Sequence, residues 1–61
     1  MISIIWPERR SVTPEQLIAW AQDDVANDLC ALPEYSLPAT VRTVQDAINV
    51  LSDTGTITLS A

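Results

Sequence analysis

The sequence predicts a small α+β domain in the order β-α-α-β, and three observations lead to it. The chain opens and closes on short segments of period two, Ile2-Ser3-Ile4-Ile5-Trp6 and Thr56-Ile57-Thr58-Leu59-Ser60. Between them lie two stretches whose apolar residues recur at the helical spacings of three and four. Pro7, Pro33, Pro38 and Gly55 punctuate the boundaries. Two antiparallel helices packed on terminal strands satisfy this pattern. The strands pair with each other or across a homodimer, because a lone strand leaves its backbone unpaired.

In the first segment Ile2, Ile4 and Trp6 share one face, with Ser3 and Ile5 on the other. Pro7 ends the run because it cannot donate to a ladder, and Glu8-Arg9-Arg10-Ser11 reads as a polar connection. Thr13-Pro14-Glu15-Gln16 then starts a helix: Thr13 and Gln16 have the spacing of a capping box, Pro14 suits the first helical position, and Val12 and Leu17 are placed as a hydrophobic staple. Glu15 sits at the positive end of the helix dipole. The helix is expected to run to about Cys30 or Ala31. Leu17, Ala21, Val25 and Leu29 form its apolar stripe, Ile18 widens it, and Trp20 falls about 120° from its centre.

Pro33 to Pro38 reads as the connection to a second helix beginning near Pro38 or Thr40. Val41, Val44, Ile48 and Leu51 form its stripe, with Ala47 beside them. Asp53-Thr54-Gly55 is its stop, and Gly55, the single glycine of the chain, supplies a left-handed cap. The closing segment places Ile57 and Leu59 on one side and hydroxyls on the other, as in a strand wet on one face.

Sixty-one residues make one domain, 1–61, near the lower limit for a self-sufficient core. Cys30 is the only cysteine, so no intrachain disulfide exists, and without histidine a Cys/His zinc site is excluded. Self-association is the expected support, hence a homodimer. No apolar run approaches the roughly 20 residues that cross a bilayer. The opening lacks a basic region and stops at Pro7, so it is not read as a signal peptide; a cytoplasmic location and no membrane partner are expected.

The inventory also bounds the chemistry. There is no histidine and no lysine, and eight acids face three arginines for a net charge of −5. Without a histidine or lysine base the serines and threonines form no hydrolytic triad, and one glycine cannot build a phosphate loop. No catalytic residue, metal or cofactor is expected. The acidic balance opposes phosphate neutralisation, so direct nucleic-acid binding is disfavoured. Cys30, near a helix C-terminus with no cation to stabilise a thiolate, reads as a small buried apolar residue.

Six residues are candidates for contact with a partner. Asp23, Asp24 and Asp28 cluster on the first helix, Asp24 and Asp28 being four apart and therefore on one face. As a solvated face they need no ligand. As a binding face they suit a basic or nucleic-acid-handling protein, offering carboxylates where it expects phosphates. Trp20, off the apolar stripe, is a candidate anchor, since Trp and Tyr are favoured at interfaces. Arg9 and Arg10 are the only adjacent cations. Together they predict a small acidic protein-interaction module, an inhibitor or regulator of a larger protein, of the kind phages and mobile elements use. The alternative is a reduced winged-helix-like DNA-binding regulator, with Thr40-Val41-Arg42-Thr43-Val44-Gln45 and the strand after Gly55 as recognition helix and wing.

Overall fold

Both helices are framed at each end by local hydrogen bonding, and these frames set where the chain turns. The computed structural model describes residues 1–60. Helix α1 spans Pro14–Ala26 and opens on the expected capping box. Thr13 Oγ1 accepts from the Gln16 amide at 3.1 Å, and Gln16 Oε1 accepts from the Thr13 amide at 3.0 Å, satisfying two donors that the first helical turn leaves unpaired. Helix α2 spans Val44–Asp53 rather than starting near Pro38 or Thr40. The difference lies in a second capping box, in which Thr43 Oγ1 accepts from the Asp46 amide at 3.1 Å and Asp46 Oδ2 accepts from the Thr43 amide at 3.3 Å. Pro38 opens only a short 3₁₀ turn, Pro38–Thr40, after which Val41 is extended.

The two helices stop by the same device. Beyond α1 the Leu29 amide donates to Asp24 O at 2.9 Å and the Asp28 amide to Val25 O at 3.0 Å. Beyond α2 the Thr56 amide donates to Leu51 O at 2.9 Å and the Gly55 amide to Ser52 O at 3.2 Å. Each is the nested pair of a Schellman motif, which requires a left-handed residue just past the cap. Gly55 fills that position at φ 73 and Asp28 at φ 57. Helix α1 therefore ends about one turn before the expected Cys30. Leu29, placed by the sequence on the apolar stripe, is instead 58% exposed. Cys30 lies beyond the helix, half-buried, with its Sγ accepting from the Leu32 amide at 3.3 Å.

The sheet has three strands, β1 Ile2–Trp6, β2 Arg10–Val12 and β3 Thr58–Leu59, in the order β2-β1-β3 with both pairs antiparallel. The terminal strands thus pair with each other inside the chain. The β-α-α-β order gains β2, which the sequence presents as a polar connection. Three residues are too short to show a period, and as an edge strand β2 carries exposed polar side chains. Its register sets Ile2 opposite Val12, Ser3 opposite Ser11 and Ile4 opposite Arg10. The register shifts between Ile4 and Trp6 on the β3 side, and Trp6 is 57% exposed instead of continuing the buried row of Ile4.

One sheet face and the two helices enclose the core. Ile4 and Val12 come from the sheet, Leu17, Ala21 and Val25 from α1, and Ala47, Val50 and Leu51 from α2. Val41 and Ile57 close it from the segments flanking α2. Gln22 Nε2 donates to Val41 O at 3.0 Å, ahead of α2, whereas Asp24 meets Thr54 and Thr56 behind it. Neighbouring residues of α1 thereby hold both ends of α2. No helix among the described residues is long and apolar enough to cross a membrane.

The two left-handed stops differ in one respect that stability measurements resolve. No atom lies within 4 Å of a Cβ built on Gly55, so Gly55→Ala meets only the backbone penalty and costs about 1 kcal/mol. Asp28→Gly relieves the same penalty at the other stop and raises stability by about 0.5 kcal/mol. Urea unfolding of the two variants checks the opposite signs.

Candidate functional site

The sequence candidates separate into three places. Asp24 turns inward. It is 4% exposed, and Thr56 Oγ1 donates to its Oδ2 at 2.9 Å. Thr54 Oγ1 lies 3.3 Å from the same carboxylate oxygen and 2.6 Å from Thr56 Oγ1. Asp24 is therefore a structural residue and not part of a partner-facing acidic face. At 100° per residue it falls about 20° from Leu17, at the edge of the apolar stripe, so folding that stripe inward carries it along. Asp23 and Asp28 are exposed, but Asp28 sits past the helix in its left-handed position. The expected continuous face of Asp23, Asp24 and Asp28 does not form.

Arg10 and Trp20, ten residues apart in sequence, come together. Opposite Ile4 in the ladder, Arg10 projects from the edge strand β2 on the helix-facing side. Its guanidinium carbon stands 5.4 Å from the centroid of the Trp20 ring, within cation–π range, worth about 0.5–1 kcal/mol where exposed. Arg10 Nε also lies 3.7 Å from Glu8 Oε1, with both side chains largely exposed, so this ion pair contributes little to stability. Trp20 is half-buried against the core. With Arg10, Val12, Gln16 and Ala19 it lines an open groove between β2 and α1. Asp23 follows Trp20 by three residues and Gln16 by seven, so it lies at the end of the groove's helical wall. Arg9 does not reach that groove: with Ser3, Ile5, Ser11 and Ser60 it lines a depression on the outer face of the sheet, which Arg10 also borders.

One polar centre escaped the sequence reading. Asp46 accepts from three donors beyond α2's own turn requirements or at its margin: Tyr35 Oη at 2.8 Å, the Arg42 amide at 3.2 Å and the Thr43 amide at 3.3 Å. The Tyr35 hydrogen bond is the largest cause holding the Asp46 carboxyl below its usual range, followed by the Arg42 amide. The same bond to Asp46 raises the Tyr35 phenol. Thr43-x-x-Asp46 was the available signal, a capping box with Asp in place of Glu or Gln. Among the described residues no group of three or more Cys, Asp or Glu side chains converges as metal ligands would.

No family model, no curated protein and no solved structure matches the chain.

Asp24→Ala removes the partner of a half-buried hydroxyl pair and lowers the unfolding free energy by about 2 kcal/mol. Asp23→Ala, one residue away and exposed, changes it by less than about 0.5 kcal/mol. Paired denaturation curves distinguish the two.

The Asp46 shift has a definite sign. A carboxyl whose folded value is depressed adds stability that is complete above its ordinary range and lost as pH falls through the folded value. Tyr35→Phe raises the Asp46 titration midpoint toward the ordinary range and moves acid unfolding to higher pH. Carbon-detected NMR titration of the Asp46 carboxyl reads the first effect and circular dichroism against pH the second.

Proposed function

We propose that the chain is a small acidic protein-interaction module that binds and modulates a larger, basic protein through the groove between β2 and α1. The observation that carries this reading is the half-buried Trp20 at an open groove, its ring under the Arg10 guanidinium. An aromatic held in one orientation at a groove is the arrangement found at interface anchors, because little side-chain entropy is lost when the partner closes over it. Asp23 at the end of the same wall and the net charge of −5 favour a cationic partner and speed encounter with it. The absence of histidine and lysine from the whole chain supports binding over catalysis.

Accessory proteins of phages and mobile elements that inhibit host factors are the class to which such a module is assigned by analogy, acting in the cytoplasm. A homodimer belongs to the same proposal, and light scattering at high protein concentration tests it: a strict monomer removes that part. The DNA-binding alternative gains no support from α2, whose exposed positions are Gln45, Asn49, Ser52 and Asp53, with Arg42 the lone cation ahead of it.

Affinity capture with the tagged chain, followed by mass spectrometry, recovers the partner. Trp20→Ala then weakens binding of that purified partner by about thirtyfold, the loss typical of an interface anchor, and Asp23→Lys weakens it in a salt-dependent manner. Undiminished binding by both variants, each confirmed to be folded, refutes the groove as the binding surface.

A further inference from the structure

The outer face of the sheet, opposite the core, concentrates hydrogen-bond donors in an otherwise acidic protein. Register sets Ser3 directly across from Ser11, and the Ser60 amide donates to Ser3 O at 3.1 Å, so all three strands or their flanks bring a serine to one line. Arg9 borders this line, and Ile5 gives it an apolar wall. The resulting depression has a volume of about 210 Å³, and among the described residues none that lines it is acidic. Among the described residues none of the three serine hydroxyls takes part in a side-chain hydrogen bond, and Arg9 makes no ion pair. Each hydroxyl can rotate to donate, and the guanidinium offers a planar fork of donors with no acceptor of its own.

We propose that this depression binds an oxyanion, the phosphate or carboxylate group of a ligand, through the Arg9 guanidinium with the hydroxyls of Ser3, Ser11 and Ser60. The chemistry follows from the donor set. A guanidinium matches two oxygens of such a group in parallel hydrogen bonds, and the flanking hydroxyls meet its remaining lone pairs. The overall charge of −5 opposes long-range attraction, so recognition is short-ranged and selects for the geometry of the anion and not for negative charge in general. The site shares Arg10 with the rim of the Trp20 groove but uses neither Trp20 nor the helical wall, so Arg9→Gln and Trp20→Ala test the two surfaces independently.

The test is a titration of the full chain, labelled with nitrogen-15, with inorganic phosphate, acetate and chloride at matched ionic strength. Saturable shifts at the Ser3, Ser11 and Ser60 amides and at Arg9 Nε are expected with phosphate or with acetate. The arm that saturates identifies the phosphate or carboxylate source. Arg9→Gln, an exposed substitution, weakens that binding by about tenfold, the size of one charge-assisted hydrogen bond, and Ser11→Ala weakens it by less. The proposal is overturned by shifts that chloride reproduces, by shifts that grow linearly without saturating, or by binding that Arg9→Gln leaves unchanged.

Discussion

The buried Asp24 carboxylate is the constraint around which the rest of the chain is arranged. A carboxylate removed from water is costly unless hydrogen bonds replace its hydration. Here the replacement comes from the Thr56 hydroxyl, with Thr54 Oγ1 2.6 Å behind it, the two residues standing on either side of Gly55. Meeting Asp24 therefore fixes the turn after α2 against the C-terminal half of α1. Ile57 is delivered into the core directly beyond that turn, and β3 follows it onto β1. A polar contact between helix and turn thus sets where the last strand begins, and with it the closure of the sheet.

The early stop of α1 has the next largest consequence. Ending at Ala26 rather than near Cys30 leaves residues 27–43 as a long connection, and connections beyond about 12–15 residues are uncommon unless their own structure holds them. Several ties do so here. Two 3₁₀ turns, Pro33–Tyr35 and Pro38–Thr40, give it local order. The Ala31 amide donates to Asp53 Oδ2, Tyr35 donates to Asp46, and Val41 O receives Gln22. Acidic side chains on α2 thus serve as acceptors for the connection, so three of the eight acids, Asp24, Asp46 and Asp53, work inside the fold.

The arginines were adjacent in sequence and diverge in space. Arg9 lies in the bend before β2 and borders the row of serines, whereas Arg10, the first residue of the strand, shares the face of Ile4 and meets Trp20. One cationic pair becomes two unlike surfaces, a groove with an aromatic wall and a hydroxyl-lined depression.

What the sequence determined by itself was governed by local chemistry. Thr13 and Gln16 capped α1 where their spacing said they would, Gly55 took the left-handed stop, and Leu17, Ala21, Val25, Ala47, Leu51 and Ile57 were drawn inward with their periods, because each of these depends on residues within one or two turns. The α+β class follows from those elements. The tertiary structure decided what local pattern underdetermines. Strand β2 exists because Ser11 finds Ser3 across the hairpin, not through any period of its own. Asp28 assumes a left-handed role that composition reserves for glycine, because the nested bonds to Asp24 and Val25 hold it there. Asp24 is buried because a hydroxyl 32 positions later donates to it, backed by a second hydroxyl 30 positions later. In the candidate groove Trp20 was legible as an off-stripe aromatic, but its pairing with Arg10 was not, since contact across ten residues depends on how an edge strand docks beside a helix, and no local spacing encodes that.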